Sequence, residues 1–511
     1  MASRRVGPGR AVPPPRPGRG HPFWPGTALV LLALPLAACE NGAVSVGAGD
    51  PQRLTVLADE VGDGLGEWRG DSGDFTGHPH EPEGVEVSVA YPEFEGAEAF
   101  AEDLAARVDQ EVRDFRAGTR DPVSLDIGWE LVAAGDGVLG VRLVRTEEDM
   151  HGLRQGYSTY WYDARDRTVS YSTQLLRGQE ELAELNAIAR EDLADDEDVD
   201  PDALHPVLRT YDSIGFNASG DLVVEFDDGH LSPIVDGHVP DSSPGRRTVV
   251  VGHEVSEPLL SGLGERAREA SQVAEPDLDL PPPASGDDAD GPPPGVVTAG
   301  DPEVDCRDDG TRCVALTFDD GPVEATPHLL DILAEEEVTA SFFLNGGPTL
   351  TRPSVLRRAY AEGHEIASHG DEHEHMNKMD PEHLAAQTAA VSAMVRRQTG
   401  FTVERFRPPF GATNDDVHAE IAAQDMAEVA WTVDSRDWEG HAPDEIVENV
   451  VAGIEPGAVV LLHDPQPATL AAVPEIIERL RERDYVFVTS GQALGGTEPG
   501  NVYPPDWDGD W

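Results

Sequence analysis

Residues 366–379 read IASHGDEHEHMNKM, which sets His369, His373 and His375 among Asp371, Glu372 and Glu374. Imidazole and carboxylate are the donors Zn²⁺ takes, so the stretch offers a metal site. An acidic loop with solvated imidazoles would have the same composition, and only the rest of the chain can discriminate. His369 and His373 are four apart, and one helical turn would carry both rings on the same side, with His375 pointing away. Upstream, TFDDGP supplies Asp319 and Asp320. Asp320 with His369 and His373 would give two imidazoles and a carboxylate, a set that leaves coordination positions open. Asp319 would then stay ionised and serve as base toward a water whose pKa the ion lowers to about 7. A plain Asp-Asp-Gly turn is the alternative.

Downstream lie Arg407, Asp434, Asp437 and His463. Arg407 could hold Asp319 by a charge-assisted hydrogen bond. His463 is placed to protonate a leaving group, with Asp437 keeping it charged. The elements that must position these groups are legible in the hydropathy pattern. Strand-like VALTFDD (314–320), TASFFLNG, HEIASH, ERFRPP, AEVAWTVD, AVVLLHD and YVFVTS alternate with helical segments such as TPHLLDILAEEE and PEHLAAQTAAVSAMVRRQ. This alternation predicts a parallel β/α sheet closed as a barrel. Asp319, Asp320, His369, Arg407 and His463 fall at strand ends, and Asp434 and Asp437 follow one; in such a barrel those ends share one face.

Five segments, in this order, resemble the motifs of the polysaccharide deacetylases of carbohydrate esterase family 4, the NodB homology domain. They are TFDDGP (317–322), HGDEH (369–373), RPPFG (407–411), DSRDW (434–438) and LLH (461–463), within residues 303–491. The resemblance implies a distorted (β/α)7 barrel holding one divalent metal ion, Zn²⁺ first, with Co²⁺ or another divalent ion as alternatives. It implies Asp320, His369 and His373 as ligands, Asp319 as base, Arg407 orienting it, His463 as acid and Asp437 tuning that acid. It further implies that Trp438 and Leu461 form an apolar pocket for an acetyl methyl. The Phe410 amide would join the ion in stabilising an oxyanion. Gly370 stands where the family has Ser or Thr, and the missing hydroxyl predicts a looser loop and weaker metal binding. The implied reaction is hydrolysis of N-acetyl groups from a cell-wall polysaccharide, N-acetylglucosamine of peptidoglycan first. Chitooligosaccharides, acetylxylan, or a non-catalytic wall-binding sensor are the alternatives.

The remaining chain sets the context. Acidic residues number 97 against 37 basic ones, a formal net charge of −60, and Lys378 is the only lysine. So acidic a surface argues against nucleic-acid or anionic-lipid binding. It suits concentrated salt, where the Debye length falls to ~3 Å at 1 M and self-repulsion is screened. An arginine-bearing start, the apolar run TALVLLALPLAA and Cys39 have the layout of a secretory signal. Leu36-Ala37-Ala38-Cys39 resembles a bacterial lipobox, so Cys39 is expected to be lipidated, with the protein on the outer face of the cell membrane. An unused lipobox would leave it secreted. Cys306 and Cys313, flanking Asp-Asp-Gly, are expected to form a disulfide in that oxidising setting.

The expected organisation is a signal peptide (1–38), a flexible tether (39–84), an α+β accessory domain (85–271), a Pro/Asp-rich linker (272–302), the deacetylase domain (303–491) and an irregular tail (492–511). The accessory domain resembles the extracellular domains of lysozyme-sensing anti-sigma factors in element order and in its YPEFEG and YSTYWYD neighbourhoods. That implies wall or lysozyme binding, with a ligand-free spacer as the alternative.

Overall fold

The computed structural model describes residues 52–57, 64–75, 84–150, 152–233, 245–281, 291–308, 310–505 and 507. The expected signal segment and Cys39 lie outside them. Among the described residues no helix is long and apolar enough to cross a membrane.

The N-terminal half is built on alternation. Strand β1 (Leu65–Asp71) pairs antiparallel with β2 (Glu86–Phe94), which buries Val87, Val89 and Tyr91 and turns the residues between them outward. β1 lies inside the stretch expected to be a flexible tether. It is ordered because Trp68 stacks on Tyr91, ring centroids 4.9 Å apart, and a full ladder joins the two strands. Helix α1 (Glu98–Gly118) buries Phe100, Leu104, Val108, Val112 and Phe115, the three- and four-residue spacing of one helix face. Because α1 crosses over, β2 and β3 (Ser124–Gly135) run parallel. The meander β4 (Val138–Asp149), β5 (Gly152–Asp163) and β6 (Thr168–Tyr171) completes a sheet in sequential order. Helix α2 (Gln179–Asp192), the small antiparallel sheet β7 (Ile214–Phe216), β8 (Leu222–Phe226), β9 (Arg247–Val251), and helices α3 (His253–Ser256) and α4 (Gly262–Ala270) follow. They enclose a second core around Trp161, Leu185 and Phe226.

Residues 272–302 are not a free linker at either described end. Asp277 N donates to Ala134 O at 3.0 Å, Leu208 N to Gly295 O at 3.0 Å, and Val297 N to the Tyr360 hydroxyl at 2.9 Å. Leu278 and Leu280 pack on the accessory core, which explains why this proline-rich stretch is held.

The C-terminal half then opens with the Cys306–Cys313 disulfide, Cα atoms 5.7 Å apart. Its elements are β10 (Arg312–Asp319), α5 (Thr326–Glu335), β11 (Ser341–Leu344), α6 (Gly346–Thr351), α7 (Pro353–Ala361), β12 (Glu365–Ser368), α8 (Pro381–Thr399), β13 (Arg405–Phe406), α9 (Asp415–Ala423), β14 (Ala427–Val429) and β15 (Val433–Asp434). They continue with α10 (Pro443–Gly453), β16 (Ala458–His463), α11 (Pro467–Arg481), β17 (Tyr485–Phe487), α12 (Ser490–Ala493) and β18 (Val502–Tyr503). The parallel ladder runs β15-β16-β10-β11-β12-β13-β14-β18. β14 and β15 lie near opposite ends of that path yet are joined by only three residues, so the sheet must curl round. The seven strands β10–β16 form a distorted (β/α) barrel whose seam is bridged by the chain.

Two strands differ from expectation. AEVAWTVD is split into β14 and β15 because the carbonyls of Val429 and Ala430 accept from the Arg407 guanidinium, at 3.0 and 2.9 Å. YVFVTS pairs only with the start of β10 and takes no place in the barrel path. The expected irregular tail contributes β18 beside β14, and Trp507 packs edge-on against Trp431 at 4.7 Å.

The halves are joined through α1 and α8. Arg396 Nη2 reaches Asp114 Oδ1 at 2.7 Å, Arg397 Nη2 reaches Glu147 Oε2 at 2.6 Å, and Arg120 grips both oxygens of Asp371 at 2.8 Å.

Candidate active site

The end of β10 and the loop after β12 bring three donors together. Ligand atoms of Asp320, His369 and His373 all lie within 4.8 Å of one another. Asp320 Oδ1 is 3.4 Å from His373 Nε2 and 3.7 Å from His369 Nε2. His369 is buried, and its Nδ1 sits 2.7 Å from the Arg407 carbonyl, which can only accept. The proton is therefore assigned to Nδ1, and Nε2 turns a lone pair toward the carboxylate. Burial depresses the His369 pKa to about 3, so the ring is neutral. Asp320 Oδ1 is itself buried and has no hydrogen-bond partner. An orphaned carboxylate oxygen facing an unprotonated imidazole nitrogen is what a divalent cation would satisfy.

The loop carrying the two histidines is irregular, so the expected helical turn is absent. Its backbone is turned at Gly370, φ +80°, where a side chain would be strained. Asn345 Nδ2 holds the carbonyls of His369 and Gly370 at 2.9 and 3.1 Å, and Glu372 N donates to Gln387 Oε1 at 2.7 Å. Asn345, Gln387 and Arg120, the last through Asp371, brace this loop around Gly370. His375 stands outside the donor group and stacks on the Phe410 ring at 4.4 Å. Glu372, Glu374 and His383 form a second close cluster, but both glutamates are exposed and solvent serves them equally well.

Asp319 and His463 occupy paired positions on the adjacent parallel strands β10 and β16. Arg407, fully buried, donates from Nη1 to Asp319 Oδ1 at 2.7 Å and to Thr317 Oγ1 at 2.8 Å. Its guanidinium lies 3.8 Å over the Phe343 ring. Burial raises the Asp319 pKa, against the pull of Arg407 and His463. Across the ladder, Asp437 Oδ1 is 2.7 Å from His463 Nδ1, while Oδ2 accepts from His463 N at 2.7 Å and Thr469 Oγ1 at 2.5 Å. Burial alone would lower His463, but the Asp437 hydrogen bond and charge outweigh it and lift the imidazole to about 9. Asp437 is correspondingly held below the usual carboxylate range by the His463 bond, against its own burial.

The flanking residues separate by exposure. Leu461 is buried with Ala430 and Trp431, whereas Trp438 is 55% exposed. Phe410, also 55% exposed, sits at φ +61° with its ring against the edge of His373 at 4.3 Å. Asp434 Oδ1 accepts from the nearby Arg436 N at 2.8 Å.

Asp464 was not singled out from the sequence. It is buried next to His463; its Oδ2 accepts from Thr326 Oγ1 at 2.6 Å, and Thr326 Oγ1 accepts from Val323 N at 2.6 Å. Burial and the Asp320 and Asp319 charges push Asp464 to about 7, against the Thr326 bond. A Cβ at Gly321 would come 2.3 Å from Asp464 Oδ2, so the Asp-Asp-Gly turn closes only with glycine. The one available signal was an acid immediately following a strand-end histidine.

Fold and site define the class: a distorted β/α barrel with a divalent-cation donor set at the mouth of the strands. The polysaccharide deacetylase family profile matches residues 307–429. A chitooligosaccharide deacetylase of a Bradyrhizobium species is 41% identical over 160 residues, 31% of this chain and 73% of that protein. The peptidoglycan-N-acetylglucosamine deacetylase PgdA of Listeria monocytogenes is 34% identical over 183 residues, 36% of this chain. The match spans 39% of that protein's length. The solved structure of peptidoglycan deacetylase PdaC from Bacillus subtilis is 29% identical over 37% of this chain and 92% of that one, with a TM-score of 0.35. The chain belongs to the polysaccharide deacetylase family.

Proposed function

We propose that this protein removes N-acetyl groups from a cell-wall polysaccharide, N-acetylglucosamine residues of peptidoglycan first, releasing acetate. The observation that carries the proposal is the register of Asp319 beside His463 across β10 and β16, next to the Asp320–His369–His373 group. One divalent cation, Zn²⁺ by donor type, would be held by those three residues and would polarise the acetamide carbonyl and acidify the attacking water. Asp319, fixed by Arg407, accepts the water's proton. His463, kept protonated at neutral pH by Asp437, gives a proton to the departing sugar amine. The Phe410 N–H steadies the charge on the carbonyl oxygen. Trp438 and Leu461 border the methyl group. Lipidation of Cys39 would place this chemistry on the outer membrane face, where peptidoglycan is the nearest N-acetylated polymer. The relatives named for peptidoglycan support that substrate, and the Bradyrhizobium relative supports chitooligosaccharides as second choice.

Acetate release from purified peptidoglycan and from an N-acetylchitooligosaccharide tests the proposal. Zn²⁺-supplemented protein should release acetate, and chelator or Asp319→Asn should abolish it. Binding to the wall without acetate release from either substrate would refute it in favour of a sensor.

A further inference from the structure

A cavity of about 220 Å³ lies where the accessory half meets the barrel. Its walls come from the end of α1, strands β4 and β5 and the turn after β8 on one side, and from helices α6, α7 and α8 on the other. No residue of the candidate active site lines it. Most of its charges are matched. Arg120 holds Asp371, Arg145 holds Asp227 and Glu111, and Arg397 holds Glu147. Arg154 stands 3.7 Å from Asp149, and burial keeps the His230 ring neutral. Two groups are left over, one of each sign. Arg357 is fully buried and makes no ion pair among the described residues. Its Nη1 donates to Gln398 Oε1 at 2.5 Å, and its Nη2 to the carbonyls of His230 and Ala203 at 2.8 and 3.3 Å. Burial pushes it down to about 9, so it stays a cation at neutral pH. Its Nε, and the Nη1 of Arg397, are buried donors without a partner. From the accessory half, Asp228 Oδ1 is a buried acceptor without one, and Asp228 makes no ion pair among the described residues.

A buried charge held by neutral groups alone is costly, and water would complete the hydrogen bonds without supplying the missing counterions. A ligand with a carboxylate at one end and an ammonium at the other supplies both. The cavity is smaller than the ~300 Å³ at which drug-sized clefts begin, so that ligand is a small one. We propose that the cavity binds a zwitterion of the amino-acid type, its carboxylate on Arg357 and Arg397 and its ammonium on Asp228, and that the bound molecule braces the histidine loop. Two walls lead to that loop. Arg120 grips Asp371, and Thr349 Oγ1 donates at 2.7 Å to the carbonyl of Asn345, whose side chain holds the His369 and Gly370 carbonyls. A molecule tying α7 and α8 to Asp228 fixes both braces at their roots. The site is separate from the proposed deacetylation and stands without it.

The test uses the full-length protein in chelating buffer, which keeps amino acids from acting through a metal ion. Alanine and alanylalanine are titrated by calorimetry and thermal unfolding, beside propionate and ethylamine, which each lack one of alanine's charges. Alanine or the dipeptide should bind, raise the Tm by mass action and slow amide exchange across residues 370–375. Which of the two binds distinguishes a free amino acid from a peptide end. Propionate and ethylamine should bind at least about tenfold more weakly, as should the zwitterion to Arg357→Gln and Asp228→Asn. Arg357→Gln also loosens the grip on the accessory carbonyls; Asp228→Asn leaves that grip intact and keeps the test decisive if the first variant fails to fold. No binding of either zwitterion up to ~50 mM, equal binding of propionate, or unchanged affinity in Asp228→Asn would overturn the inference. Binding with no change of exchange in the histidine loop would overturn the bracing.

Discussion

Replacing Asp437 by asparagine removes the charge that keeps His463 an acid while leaving the site's volume unchanged. Asparagine cannot accept from His463 Nδ1, His463 N and Thr469 Oγ1 at once, as the carboxylate does. The imidazole should fall from about 9 toward its ordinary 6.5, with only the Asp319 and Asp320 charges left to oppose burial. At pH 8 a group of pKa 9 is about nine-tenths protonated and one of 6.5 about 3%, so the rate should drop about 30-fold. At pH 6 both are mostly protonated, and the difference should shrink to under about twofold. The assay is acetate release against pH, from pH 5.5 to 10, with the alkaline limb moving down by the same interval. The stability sign follows from the raised pKa. The His463 contribution is fully present below pH 6.5 and is lost as pH rises through about 9, with an upper bound of ~3 kcal/mol. Urea unfolding at pH 6 and pH 10 reads that term. A variant slower by one uniform factor at every pH, with its alkaline limb in place, would refute the assignment of His463 as the acid tuned by Asp437.

Two further outcomes follow from the loops. Gly370→Ser should lower the Tm, because φ +80° costs a non-glycine residue about 1 kcal/mol, and should leave Zn²⁺ affinity no tighter by calorimetric titration. Tighter binding would show that the hydroxyl, not Asn345 and Gln387, is what the loop needs. Asp464→Ala should lower kcat roughly 10- to 100-fold by loosening the turn that presents Asp319 and Asp320, with circular dichroism unchanged. Asp464→Asn, which can still accept from Thr326, should recover most of that loss.

What the sequence disclosed and what it hid divide along physical lines. Strand ends recur with the β/α repeat, so Asp319, Asp320, Arg407 and His463 could be placed on one mouth from hydropathy alone. The identities of His369 and His373 were legible, but their geometry was not. A helical turn was the simplest way to align residues four apart, whereas Gly370 and the distant Asn345 build an irregular loop that does the same. The break between β14 and β15 depends on Arg407 claiming two carbonyls more than twenty residues away, which no local pattern records. β1 and β18 are each ordered by a neighbouring strand, so their short sequences read alone resemble tether and tail. Asp464 was overlooked because its meaning lies in Thr326 and Gly321, on another strand's loop.

The arginine grip between the halves has an engineering consequence. Arg120 fastens Asp371, which lies between His369 and His373, while Asp114 and Glu147 hold Arg396 and Arg397 on α8. A catalytic fragment cut at residue 303 would carry α8 into water with those cations stripped of their counterions and its histidine loop missing one brace. Producing the barrel alone is therefore a redesign of that helix's surface, and a jolt delivered to the N-terminal half has a mechanical route to the chemistry.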